Sequence, residues 1–161
     1  MEPKLDAARI EVRQVPADDR MAAPLHAALT EEYLARYGSS AYDEMSRVPH
    51  HEFASPHGGF LVLTLDDETV AGGGFRRRDA ETAELKRMWT HPRRRRLGLA
   101  RRTLAELEQA ARRVGYRRLC LVTGPRQPEA SALYDSAGYR QVPCDPATTD
   151  GKPALCFEKS L

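Results

Sequence analysis

The apolar run Leu119-Cys120-Leu121-Val122 constrains this chain more than any other stretch. Unbroken rather than alternating apolarity is what a strand covered on both faces requires. A helix pattern stands directly before it. Ala100, Leu104, Leu107, Ala111 and Val114 recur at three- and four-residue spacing, Gly115 closes the run, and a strand signal over 82–90 precedes it. Strand, helix and strand in that order predict a βαβ unit.

Upstream, the signals are those of a hairpin sheet. Ile10 and Val12 mark a first strand near 9–15, and Asp18 and Asp19 stand at a cap position before a helix carrying Leu25, Ala28, Leu29 and Tyr33, stopped by Gly38. Phe60 to Leu65 reads as a buried strand, Asp66-Asp67 as a turn, and Thr69 to Arg77 as the return strand. Residues 39–58 read as a loop region with a short helix around 41–47. Downstream, a helix opens on Pro128, carries Ala130, Leu133, Tyr134 and Ala137 on one face and ends at Gly138; strands near 139–143 and 153–160 follow. The expectation is an α/β fold with a mixed, mostly antiparallel sheet of about six to seven strands and flanking helices, as one domain over 1–161.

Charge is balanced overall and uneven locally. The 161 residues carry a net +2, which argues against a uniformly DNA-coating protein. Residues 93–118 hold ten arginines against Glu106 and Glu108, a local +8 that leaves −6 for the rest. Focused positive charge suits a focused anion. The longest apolar runs are far short of the ~18 to 20 residues that span a bilayer, so no membrane partner is expected. The acidic start Met1-Glu2-Pro3-Lys4-Leu5-Asp6 lacks the pattern of a secretory signal, giving a cytoplasmic expectation. Cys120, Cys144 and Cys156, odd in number and without a CxxC pair, are expected to be reduced thiols, with Cys120 in the core. His50, His51 and His57 lack a metal-ligand spacing and are read as loop histidines, so no metal is expected.

Inside the basic segment lies Arg95-Arg96-Leu97-Gly98-Leu99-Ala100, after a strand and at the start of a helix. The first N–H groups of a helix have no intrahelical partner and sit at the positive end of its dipole, so several can converge on a pyrophosphate. Gly98 and Ala100 keep side chains out of the way. The chain contains neither GxxxxGK[ST] nor GxGxxG. Read alone, the motif also describes a solvated basic helix start.

With its context, the sequence resembles the GNAT superfamily of acetyl-CoA-dependent N-acetyltransferases. Two stretches carry the resemblance: Ala83 to Pro92 running into Arg95-x-x-Gly98-x-Ala100, and Pro128 to Tyr139, similar to the family's A-x-x-L-Y-x-x-x-G-[FY] helix. The resemblance implies a V-shaped splay between the fourth and fifth strands that takes acetyl-CoA as co-substrate. It further implies that Met88 N–H takes the thioester oxygen, that Trp89 and Thr90 flank the pantetheine arm, and that the backbone from Arg95 and Arg96 through Leu97, Gly98, Leu99, Ala100 and Arg101 takes the pyrophosphate. Arg93 or Arg94 is assigned the 3′-phosphate. Gln127 stands where the family often has Asn against the pantetheine.

Tyr134 is implied as the acid that protonates the departing thiolate. A phenol of pKa ~10 facing a thiol of ~8.5 is an adequate donor, although helical periodicity alone reads Tyr134 as a core aromatic. A primary amine of pKa ~10.4 costs about 4.6 kcal/mol to present neutral at pH 7, so a base is expected. Glu84 is the candidate, on the same strand face as Met88 and about 13 Å away, acting through water. Its other reading is a pair with Lys86. Tyr33, Tyr37, Tyr42 and Asp43 are candidates for the amine-bearing acceptor's pocket.

The leading expectation is direct acetyl transfer to an amine by a monomer or homodimer. A non-catalytic acyl-CoA sensor keeps the cradle without the chemistry. A nucleic-acid module explains the arginines but not Gly98, Ala100 or the Leu133-Tyr134 helix, so no nucleic acid is expected.

Overall fold

The computed structural model describes residues 9–38, 48–125, 127–149 and 151–161. Seven strands form one sheet in the order β1-β2-β3-β4-β5-β7-β6. They are β1 (Ile10–Gln14), β2 (Gly59–Leu65), β3 (Glu68–Arg77), β4 (Thr82–Thr90), β5 (Arg118–Thr123), β6 (Arg140–Val142) and β7 (Leu155–Ser160). Helix α1 spans Ala23–Tyr37, α2 Leu99–Val114, α3 Pro128–Ser136, and a four-residue α4 Pro146–Thr149. The expected elements all appear within a few residues of their sequence limits. The proposed helix at 41–47 lies outside the described residues.

Antiparallel pairing runs from β1 through β4, and β4 pairs β5 in parallel, with α2 as the crossover. At the β2–β3 turn Asp66 and Asp67 both take left-handed φ, +50° and +65°, the twist that a two-residue hairpin turn needs. Strand β7 inserts between β5 and β6 of its own chain, so the C-terminal strand closes the sheet internally.

Two apolar layers cover the sheet. Leu104, Leu107 and Ala111 of α2 pack with Leu63, Phe75, Leu85 and Leu119 on one face. Leu25 and Leu29 of α1 pack with Phe60, Val62 and Trp89 on the other. Val114, placed on the buried stripe by periodicity, is 41% exposed as the last residue of α2, next to the Gly115 cap.

A bulge in β4 changes what each side chain faces. Lys86 pairs Gly74 and Trp89 pairs Gly72, so Arg87 and Met88 together oppose Gly73. Arg87 takes φ +60°. One extra residue reverses the alternation beyond it. Met88 therefore packs on the α2 side and Trp89 on the α1 side. Glu84 pairs Arg76, which bonds Glu52 on the α1 side. The expectation that Glu84 and Met88 share a face is thus overturned: two-residue parity held to Lys86 and failed at the bulge. Gly73 makes room for it, since a Cβ there would stand 2.7 Å from Met88 Sδ.

The cysteine expectation is also corrected. Cys144 and Cys156 form a disulfide, with Cα atoms 5.4 Å apart, and Cys120 remains a buried free thiol. The cause is the β6–β7 ladder. Val142 pairs Cys156, so the chain two residues past Val142 stays beside that position. The two cysteines stand twelve positions apart, a spacing that carries no local motif.

Candidate functional site

Strands β4 and β5 pair only at Thr82, Ala83 and Glu84, and then diverge. From Leu85 to Thr90 one edge of β4 has no strand beside it. The resulting cleft, 1160 Å³ in volume, is lined by Leu85 to Thr90 on one side and by Leu121 to Gly124 with Ala130, Leu133 and Tyr134 of α3 on the other. This is the expected splay. An unpaired strand edge in a cleft offers backbone donors and acceptors to an extended amide-bearing ligand.

The cleft ends at the start of α2. His91 accepts the N–H of Arg93 on its Nδ1, capping a short 3₁₀ turn over Pro92–Arg94. Arg96 and Gly98 then take left-handed φ of +65° and +78°. The first helical hydrogen bond runs from Arg102 N–H to Gly98 O, which leaves the N–H groups of Leu99, Ala100 and Arg101 without intrahelical acceptors. Gly98 is the N-cap and supplies no side-chain acceptor. A Cβ at Gly98 would meet nothing within 4 Å, so the space in front of it is open. Backbone N–H groups facing open space at a helix N-terminus suit an anion.

Arg95, Arg96, Gly98, Leu99, Ala100 and Arg101 all border the cleft. Leu97 does not border it and is 44% exposed. Arg93 and Arg94 stay outside as well. Gln127 borders the cleft, and its Oε1 accepts the Thr123 hydroxyl at 2.7 Å. That bond uses the acceptor end and leaves the amide NH₂ as donor.

Tyr134 lines the cleft and is 5% exposed, with Tyr139 edge-on at 5.6 Å and Phe157 at 5.9 Å. Burial pushes its phenol well above the ordinary tyrosine value, and Tyr33 adds to the shift. The two readings of Tyr134 coincide: its ring belongs to the core cluster and its side chain also borders the cleft.

At the closed end sits Glu84, 3% exposed. Arg76 Nε donates to it at 2.9 Å, and Arg76 also bonds Glu52 at 2.7 Å. Lys86 Nζ lies farther, at 3.9 Å. The predicted Lys86 pair is thus the looser of two, and Arg76 was not foreseen. Only strand register reveals it, because Arg76 is eight residues upstream. Arg87 was also missed. Its guanidinium reaches Val48 O at 2.7 Å and lies 5.0 Å over the Phe53 ring, and burial pulls its pKa down.

Of the acceptor candidates, Tyr33 borders the cleft. Tyr42, Asp43 and the Tyr37 side chain lie outside the described residues. Across the cleft mouth, Arg36 of α1 bonds Glu129 of α3 at 3.0 Å. His50 stacks on His26 at 4.8 Å, and no metal-holding group occurs among the described residues. No helix among them is long and apolar enough to cross a membrane.

Comparison with known proteins converges on one family. Residues 24–139 match the model of the acetyltransferase (GNAT) family. The chain is 27% identical over 132 residues to the uncharacterized N-acetyltransferase YjgM of Escherichia coli K12, covering 74% of this chain and 77% of that protein. A crystal structure of an acyl-CoA N-acyltransferase from Klebsiella pneumoniae superposes with TM-score 0.78 at 24% identity, over 96% of this chain and 99% of the other. The PaiA N-acetyltransferase of Thermoplasma acidophilum, solved with coenzyme A, gives 0.75 at 16% identity, over 94% and 99%.

Proposed function

Because the chain belongs to the acetyltransferase (GNAT) family of acyltransferases, we propose that it transfers the acetyl group of acetyl-CoA directly to an amine. One observation carries this reading: a single cleft joins the unpaired edge of β4, the donor-rich start of α2 and the Tyr134 side chain. The distance from Glu84 to Arg101 is spanned by that cleft, so one extended substrate reaches all three.

The chemistry follows from these parts. The N–H groups of Leu99 to Arg101 hold the diphosphate, and Arg95, Arg96 and Arg101 add charge at the same end. The free edge of β4 pairs the amides of the pantetheine arm, and Met88 N–H stabilises the thioester oxygen as it becomes an oxyanion. A neutral amine attacks the carbonyl carbon, the tetrahedral intermediate collapses, the C–S bond breaks, and the thiolate takes the proton of the Tyr134 hydroxyl. The amine's proton leaves to Glu84 through water. Four strand positions, about 13 Å, separate Glu84 from Met88, so the proton travels through water. Arg76 fixes the orientation of the carboxylate through its 2.9 Å hydrogen bond.

The test is release of free thiol from acetyl-CoA over a panel of amines, with stabilisation against heat by coenzyme A read in parallel. Thiol release matched by acetylated amine is expected. Hydrolysis without an amine product, or no release with any amine, contradicts the reading.

A further inference from the structure

The disulfide closes the base of a strap that walls the cleft. Between β6 and β7, Thr148, Thr149, Lys152, Pro153 and Ala154 border the large cleft, and Thr148 also lines a cavity with Cys120, the β5 residue that pairs Glu84, which puts the strap at the Glu84 end. Among the described residues the strap's backbone bonds are internal: Thr148 and Thr149 N–H to Asp145 O, Gly151 N–H to Pro146 O, and Lys152 N–H to Thr149 O. Most of it is exposed. The β6–β7 ladder beneath has only three residue pairs, ending at Val142 and Cys156. A segment with internal bonds, few buried contacts and a short ladder opens at low cost unless its ends are tied.

Cys144 to Cys156 is that tie. It joins the last residue before the strap turns outward to a β7 residue that is 8% exposed. Thr148 completes the mechanical link, since it borders both the cleft and a separate 270 Å³ cavity that holds Cys156. Cys120 lines the same cavity, with Arg78 Nη1 on its Sγ at 3.1 Å. Burial raises the Cys120 thiol pKa against that bond, so it is a poor attacker of the disulfide.

We propose that the Cys144–Cys156 disulfide is a redox latch that sets the acceptor wall of the cleft without touching the acetyl-CoA half. The inference rests on the transfer reading above. A dithiol reduces the latch by two electrons: the S–S bond breaks, two S–H groups form, and the dithiol becomes a cyclic disulfide. The strap then moves independently of β7, and Thr148, Thr149, Lys152, Pro153 and Ala154 no longer hold one wall in place.

The experiment compares the full chain before and after dithiothreitol, with maleimide mass shift on acid-quenched, denatured samples counting one thiol in the oxidised form and three in the reduced. Hydrogen exchange over 144–156 is expected to quicken at least tenfold on reduction, with α2 and β4 unchanged. For the best amine of the panel, the acceptor KM is expected to rise at least fivefold while the acetyl-CoA KM stays within twofold. Cys144→Ser is expected to behave as the reduced form and ignore dithiothreitol; Cys120→Ala is expected to keep the full response. Equal exchange and equal acceptor KM in both redox states overturn the latch, as does an acetyl-CoA KM that moves in step. If no amine is acetylated in either state, the transfer reading fails on its own, and the exchange difference still decides whether the strap is latched.

Discussion

At the Gly98 end the cleft is made of backbone, and at the Glu84 end it is made of charged side chains. The N–H groups of Leu99, Ala100 and Arg101 are placed by helix geometry, which holds whatever the neighbouring side chains are. Glu84 depends on Arg76, Arg76 on Glu52, and the wall opposite on a disulfide. A backbone cradle suits a ligand that never changes, whereas side chains and a strap can be exchanged without rebuilding the fold. On the proposed reading the contrast teaches where specificity resides: one end would fix the donor, and the other would select the acceptor.

The largest expected effect lies where the two ends meet. Tyr134→Phe removes the proposed proton donor and keeps the ring among Tyr139 and Phe157; because burial weakens the phenol as an acid, kcat is expected to fall by ~10²-fold, the lower end of acid–base assistance, with the acetyl-CoA KM little changed. Steady-state kinetics on the best amine measure it. A rate within threefold of the parent returns Tyr134 to a purely structural role.

Glu84 comes next. Glu84→Gln is expected to lower kcat/KM at pH 7 by roughly ten- to a hundredfold, within the lower range of acid–base assistance. Activity should recover as pH rises, because the amine then sheds its own proton. Arg76→Met sharpens this test. Removing the guanidinium that holds Glu84 at 2.9 Å frees the carboxylate to reorient, so kcat/KM is expected to fall toward the Glu84→Gln value with the acetyl-CoA KM little changed. An unchanged kcat/KM excludes Arg76 as a positioning residue. The same change strands a buried carboxylate and should lower unfolding stability by about 1 to 3 kcal/mol, read from the denaturant midpoint.

Legibility follows the same division. The Gly98 loop was readable because its strand, glycine and helix are contiguous in sequence, and Tyr134 because its motif lies within one helix. The Arg76–Glu84 pair was not, since β3 and β4 bring those residues together by register. Nor was the reversal of Met88 and Glu84, because nothing in Lys86-Arg87-Met88 announces a bulge that only the opposing Gly73 permits. The disulfide escaped for a related reason. Counting cysteines and seeking CxxC looks for local spacing, whereas the β6–β7 ladder joins positions twelve apart.

The smallest effect concerns the wall behind Tyr134. Burial raises the phenols of Tyr134 and Tyr139, and Glu108, which accepts the Tyr139 hydroxyl at 3.2 Å, raises the latter further. Both groups are held protonated in the folded state. Their contribution to stability is complete below the ordinary tyrosine value of about 10 and is lost as pH rises beyond it toward the folded values. In an alkaline titration followed by tyrosinate absorbance, Tyr134 and Tyr139 are expected to be among those of the six tyrosines that ionise only on unfolding. Tyr139→Phe should reduce the number of late-titrating tyrosines by one. Free titration of all six near pH 10 contradicts the packing described for α3.

The most direct measurement is calorimetric titration of coenzyme A into the parent chain and into Gly98→Val. A valine at φ +78° strains the N-cap and sets methyl groups in the open space before the α2 amides. Saturable heat with the parent and at least tenfold weaker binding by the variant, with the variant still unfolding cooperatively and its Tm lowered only by the strain at one residue, is the result expected. Coenzyme A that gives no heat with the parent, or that binds both proteins alike, contradicts the claim that backbone donors at the start of α2 hold the diphosphate.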